Sequence, residues 1–297
     1  MRKRLNPSEI ILVEEHIVGP LTGVVRLQDY GVGVFVRAAT RSALKKAIKK
    51  GLVTVDGRVA QTATYLRGGE RLQLHAPATA QAVKKLRLYL TVVYEDEYLA
   101  VVAKPPGILV SGNTFKTVAA ALDQNLRPSS LADAVPPQPV HRLDYPTTGA
   151  LLVGKTSGSI RALNKLFRAK TISKVYYAVA IGAMGEQRVI ETEVDGKPAR
   201  TELTVKASVR SERFGWLNLL EVRPATGRRH QIRKHLAGIG HPLLGDQTYG
   251  LDGLLLRGKG LYLHAFSLEF VHPSTQRVVL VEVELPAKFG KLFPADR

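Results

Sequence analysis

Cysteine is absent from the 297 residues, which excludes disulfides, thiolate zinc sites and cysteine nucleophiles together. Also missing is any apolar run near the ~18–20 residues that span a bilayer, so no membrane partner is expected. Residues 10–13 are apolar, but Glu14 and Glu15 follow at once, and the run is too short for a signal peptide. No internal repeat is present. A soluble cytoplasmic protein, acting as a monomer, is the expectation. Acidic residues are scarce, 25 Asp and Glu against 43 Lys and Arg, for a net charge of +18. That surplus favours a polyanionic partner, although charge alone does not separate RNA from DNA or an acidic membrane.

The length allows one large domain and one small one, each with its own core. Basic charge is concentrated at the front: residues 1–88 hold 16 Lys and Arg against 6 Asp and Glu. The Ala-rich stretch at 76–82, followed by Lys84 and Lys85, reads as a linker. The expected domains are therefore 1–85 and 86–297.

In the first domain, Thr40 or Ser42 can cap a helix that ends at Gly51. Leu44, Ala47 and Ile48 form its buried face, which leaves Lys45, Lys46, Lys49 and Lys50 together outside. Four like charges on one short helix repel each other, which argues for phosphate contacts rather than a merely solvated face. Residues 52–55 alternate as a strand, and Asp56-Gly57 marks a hairpin turn. The second domain consists mostly of short alternating strands, at 90–94, 99–102, 150–153, 175–181, 203–209, 217–222 and 278–285. Its best helices are 116–125 and 160–167, and 123–139 reads as a Pro-, Ser- and Ala-rich loop. Strands that outnumber helices without alternating regularly predict an α+β fold with a mixed, mainly antiparallel sheet.

The densest chemistry lies at His141-Arg142-Leu143-Asp144-Tyr145-Pro146-Thr147-Thr148-Gly149. A carboxylate beside a cation is held ionised. Asp144 either serves its own turn and pairs with Arg142, or is offered to a substrate as nucleophile or base. Residues 149–156 satisfy the GxxxxGK[ST] phosphate-loop expression. Their spacer, Ala150-Leu151-Leu152-Val153, has the character of an apolar strand and not of a loop whose N–H groups converge on an anion. His230 and His235 are five residues apart, not four, so no helical zinc site is expected, and both read as structural or RNA-contacting.

The nonapeptide resembles the HRLDxxTSG signature of the RNA pseudouridine synthases, in particular the RluA-type branch. Three more blocks are similar to that family's motifs, in its order. They are Lys104-Pro105-Pro106-Gly107, then Lys174-Val175-Tyr176-Tyr177-Ala178 with Gly182, and finally Thr226 to Arg233 with His235 and 240–246. Thr148 replaces the usual Ser, and Arg229 the usual Thr. The helix, strand and Asp-Gly hairpin of the first domain, with Gly68-Gly69-Glu70, resemble an S4 RNA-binding domain over about 24–75. Its usual opening is altered to Arg26-Leu27-Gln28-Asp29-Tyr30, which leaves its first strand undefined.

The resemblance implies isomerisation of uridine to pseudouridine in structured RNA, with no metal or organic cofactor. Asp144 would be the catalytic residue. Arg142 would enter the space left by the flipped base, Tyr176 would pack on that base, and Arg233 would pair with Asp144. Lys104, His141 and Arg228 would line or shape the cleft and touch RNA. An S4 domain favours large-subunit (23S) ribosomal RNA as substrate, with transfer RNA as the alternative. Two rival readings are a non-catalytic RNA-binding or ribosome-assembly factor, which needs Asp144 or Arg233 to be lost, and a hydrolase, which needs a second acid beside Asp144.

Overall fold

The computed structural model describes residues 10–38, 40–77, 86–112, 114–256 and 258–294. The expected linker falls largely at 78–85, outside the described residues, as do the basic residues 2–4. The chain divides into two compact units, Met1–Lys84 and Lys85–Arg297.

The first unit is a small α+β body. It contains, in chain order, β1 (Ile10–Ile17), β2 (Val25–Arg26), α1 (Leu27–Tyr30), α2 (Arg41–Lys49), β3 (Val53–Val55), β4 (Arg58–Val59), β5 (Tyr65–Leu66) and β6 (Arg71–Pro77). The sheet order is β1-β6-β3-β4, and β2 pairs with β5 apart from it. Of the altered opening only Arg26 is strand, in β2 with Val25 before it; Leu27 already starts the short α1. Thr40 caps α2, its hydroxyl oxygen accepting from the Ala43 N–H at 3.1 Å. Asp56 and Gly57 both have positive φ, 48° and 76°, as a tight hairpin between twisted strands requires. Leu44 and Ile48 bury against Leu27, Val53, Leu66 and Leu72, while Lys45, Lys46, Lys49 and Lys50 are exposed.

The second unit is built on one ten-stranded, mainly antiparallel sheet. Its elements run β7 (Thr91–Glu95), β8 (Leu99–Lys104), β9 (Ala134–Pro139), β10 (Thr148–Thr156), α3 (Ser157–Ala169), β11 (Ser173–Ile181), β12 (Gln187–Ile190), β13 (Thr201–Ser211), β14 (Gly215–Pro224), α4 (Gln231–Gly238), β15 (Leu263–Val271), β16 (Val278–Glu282) and α5 (Ala287–Gly290). The path across the sheet is β12-β13-β14-β11-β15-β10-β8-β7, with β16 added to β15 and β9 to β10. Among the described residues, the two half-sheets are joined by strand pairing where β10 and β15 run parallel, Thr148 beside His264 and Gly149 beside Ala265. Beyond those two pairs each strand takes a different partner, so the sheet parts just at the end of the Asp144 turn.

Two expectations are corrected. Residues 116–125 form a 3-10 helix only over Ala119–Gln124. Thr117 is bridged to Leu109, and the N–H groups of Val118 and Ala119 are spent on Leu109 and Val110, so no helix can begin earlier. The 123–139 segment is not all loop, because Ala134–Pro139 pairs along the second half of β10. Its prolines donate nothing, which an edge strand tolerates. The GxxxxGK[ST] stretch is β10 itself, buried along its whole length, and its Lys155 pairs with Glu95 at 2.8 Å.

Candidate active site

The Asp144 turn is held from beneath. Lys104, 1% exposed, donates to the carbonyls of Pro105, Tyr145 and Thr147 at 2.9, 3.1 and 2.8 Å. An ammonium has three donors, and this one spends two of them on the loop that carries Asp144 and the third on its own neighbour Pro105. Burial pushes its pKa down to about 8, against the pull of Asp144. The Thr147 N–H closes the turn on the Asp144 carbonyl at 3.1 Å. Gly149 has φ +110°, and a Cβ there would stand 2.1 Å from the Ala265 carbonyl oxygen, so the seam between β10 and β15 requires glycine.

The opposite wall is the start of α4. His230 precedes it in the left-handed region, φ 55°, without a side-chain cap. Gln231 anchors this corner by accepting from the Thr226 hydroxyl and the Arg228 N–H, and by donating to the Arg200 carbonyl and the Thr201 hydroxyl. Two residues later Arg233, 4% exposed, donates through Nε and Nη2 to both oxygens of Asp246 at 2.7 and 2.8 Å. Its Nη1 lies 3.5 Å from Asp144 Oδ2, and its Cζ lies 5.0 Å from the centre of the Tyr249 ring. Burial alone would push the Asp246 carboxyl up. Arg233 and the N–H groups of Thr248 and Tyr249 outweigh it and hold that carboxyl below its ordinary value. His230 shares a 2.9 Å hydrogen bond between Nδ1 and the Tyr249 hydroxyl, and its Nε2 lies 3.7 Å from Asp144 Oδ1. Burial lowers the His230 pKa despite Asp144, and the cations Arg233, Arg229 and Lys234 lower it further, so the ring is neutral at pH 7.

Tyr176 reaches the same cavity from β11. The β11–β15 register slips between Val175 and Tyr176, a bulge of the kind that re-aims a side chain. Tyr176 then stands opposite Ala265, which in turn stands opposite Gly149. Burial, and next the Asp144 charge, raise the Tyr176 phenol well above its ordinary value, so it is a neutral hydroxyl. A cavity of about 150 Å³ is lined by Asp144, Arg142, Tyr176, Lys174, Arg228 and Arg233 among others.

The structure therefore brings Asp144, Arg142, Tyr176, Arg228 and Arg233 together. Arg142 is exposed and forms no ion pair among the described residues; the cation beside Asp144 is Arg233 instead. Lys104 and His141 do not line this cavity: Lys104 is buried under the turn, and His141 is half-buried. The His141 ring stacks on Phe167 at 4.8 Å, and its Nε2 accepts from the Leu152 N–H at 2.9 Å. Burial, with Lys174 nearby, pushes its pKa down to about 3, so it stays uncharged. Lys45, Lys46, Lys49 and Lys50 belong to the other unit. Asp246 and Lys174 received no role from the sequence, although both sit inside the motif blocks. His235 donates to the Thr192 carbonyl and does not converge with His230. Among the described residues no three His, Asp or Glu side chains are placed to hold a metal ion, and no helix is long and apolar enough to cross a membrane.

Residues 98–238 match the family model described as RNA pseudouridylate synthase. Over 282 residues the chain is 35% identical to an uncharacterized RNA pseudouridine synthase of Aquifex aeolicus (strain VF5), covering 86% of this chain and 88% of that protein. The chain belongs to the RNA pseudouridylate synthase family. It is 33% identical to ribosomal large subunit pseudouridine synthase D of Xanthomonas campestris pv. campestris, covering 87% of this chain and 85% of that one. It is 31% identical to ribosomal large subunit pseudouridine synthase C of Pasteurella multocida (strain Pm70), covering 88% and 87%. Human RNA Pseudouridylate Synthase Domain Containing 1 shares the fold with a TM-score of 0.56 at 25% identity, over 66% of this chain and 84% of that one. As a pseudouridine synthase the protein is an isomerase acting on RNA, and the mainly antiparallel sheet with few helices is the architecture of its structural neighbours.

Proposed function

We propose that this pseudouridine synthase converts specific uridines of large-subunit ribosomal RNA in the cytoplasm, with Asp144 as its catalytic residue and no cofactor. The carrying observation is the placement of Asp144. Its carboxylate is 15% exposed in a small cavity, faces Arg233 at 3.5 Å and sits on a turn clamped by Lys104. The target uridine must be unstacked first, at a cost of roughly a few kcal/mol. The planar guanidinium of Arg142, unpaired and exposed, fills the vacated space. Tyr176 packs against the extruded base, and its neutral phenol is within the family's motif for work at C5. Arg233 orients Asp144. Glycosidic carbon–nitrogen cleavage and re-formation through carbon then need only this one carboxylate, as nucleophile or base.

Asp246 is a second acid close by, but it does not support a hydrolase. Its side chain is fully buried, both oxygens are bonded to Arg233, and its pKa is lowered, the opposite of what a general acid requires. The relatives named as ribosomal large subunit synthases favour ribosomal over transfer RNA. The first unit, read as S4-like, would add electrostatic affinity through the exposed lysines of α2.

The test is Asp144→Asn in the full chain. Carbodiimide-dependent primer stops in ribosomal and transfer RNA should vanish at one or a few positions while RNA binding persists. An unchanged modification map removes Asp144 from catalysis. Stops lost only in transfer RNA reassign the substrate.

A further inference from the structure

Next to the Asp144 cavity lies a second, larger one of about 520 Å³, between the end of α3, the start of β11 and the loop that follows β14. Lys174, Pro224, Thr226, Gly227 and Arg228 line both, so the two are one continuous depression. Five cations face the larger part: Arg168, Lys170, Lys174, Arg223 and Arg228. Its one acid, Glu202, is taken up by Arg200 at 2.9 Å. Arg223 is likewise paired with Glu221, and Arg228 Nε donates to the Pro198 carbonyl. Arg168, Lys170 and Lys174 have no side-chain partner among the described residues.

Two of those three show a structural cost. Lys170 ends α3 in the left-handed region, φ 59°, where glycine would be unstrained. A lysine there sets a cation at the rim at the expense of backbone strain. Lys174 is half-buried at the seam of the two cavities, and its pKa is lowered by burial and then by Lys170. A half-buried ammonium with no acceptor, beside a second ammonium, lacks an anion.

We infer that this groove takes the phosphodiester backbone of the RNA strand adjoining the extruded uridine, with Lys174 on the phosphate nearest the cavity and Arg168 and Lys170 on those beyond it. The inference rests on the isomerase reading, because the extruded nucleotide enters the cavity that the groove joins. A single strand fits better than a duplex, since the track leads directly into a cavity of about 150 Å³.

The experiment uses the full chain and total RNA from a strain lacking the enzyme, counting pseudouridine gained as a function of RNA and salt. Lys174→Met, and separately Arg168→Ala with Lys170→Ala, should raise KM roughly tenfold at 0.1 M salt. The slope of log KM against log salt should fall by about 0.7 for the single variant and about 1.4 for the double. Lys174→Arg, which keeps the charge, should restore most of both. A KM and slope equal to wild type overturn the track, as does a KM that rises with an unchanged slope. Equal damage from Lys174→Arg and Lys174→Met also overturns it, because that outcome assigns Lys174 a packing role. If the wild-type enzyme adds no pseudouridine, the isomerase reading itself fails, and the track falls with it.

Discussion

Arg233 gives both arms of its fork to Asp246 and leaves only Nη1, at 3.5 Å, for Asp144. The two carboxylates thus play unequal parts: Asp246 fixes the guanidinium, and Asp144 shares its charge without being immobilised by it. Asp246→Ala would strand a buried cation, and loss of one partner of a buried pair costs about 3–5 kcal/mol. Urea denaturation should show that loss as a lower midpoint. Arg233→Lys keeps the charge but not the fork. It should lower kcat roughly a hundredfold, the scale of a small misplacement of a catalytic group, with a smaller change in stability than Asp246→Ala.

Lys104 makes a similar argument for the turn. Lys104→Met preserves the stem and removes the donor from three backbone carbonyls. Of the three, the Thr147 carbonyl is buried, and a buried acceptor left unsatisfied costs about 1–3 kcal/mol. The variant should lose roughly that much in denaturant unfolding, and activity should fall with it. A variant as stable as the parent would show that water replaces the ammonium.

The lysine face of α2 makes a prediction of opposite sign for stability. Lys45 with Lys49, and Lys46 with Lys50, are like charges four residues apart, which destabilises a helix slightly. Changing all four to Ala should leave the melting temperature equal or higher. If the face contacts phosphates, the same change should flatten the slope of log affinity against log salt by up to about 3. An unaltered slope would make these residues a solvated surface.

Much of this could be read from residue order, and the failures have physical causes. β13 alternates because one face packs and the other does not, and α2 carries its own cap in Thr40. β15 escaped notice because both its faces are buried over Leu263–Leu268 except at Phe266, which erases the period of two. β9 was hidden by its prolines, and α4 by a start at His230 that has no capping side chain. At the site, Asp144, Tyr176 and Arg233 were legible as motif residues. That Arg233 is already committed to Asp246 was not, because the pairing depends on where the loop after α4 returns. The partners of His141 were equally invisible: its stacking on Phe167 and its bond from the Leu152 N–H depend on how α3 and β10 pack around it.

His141 leads to a pH prediction whose sign can be worked out. In the unfolded chain its ring takes a proton near the ordinary value of about 6.5. In the folded protein burial lowers that to about 3. Between these values the unfolded state binds one more proton than the folded state, so stability must fall as pH falls. Above 6.5 both states are neutral and the residue contributes no slope. His141→Gln retains an acceptor for the Leu152 N–H but cannot titrate. The stability difference between wild type and this variant should therefore be flat above pH 6.5. Below it, wild type should lose up to roughly 1.4 kcal/mol more per pH unit than the variant. Denaturant midpoints from pH 7.5 to 4.5 check this, and parallel curves for the two proteins would show that the ring is charged inside the fold.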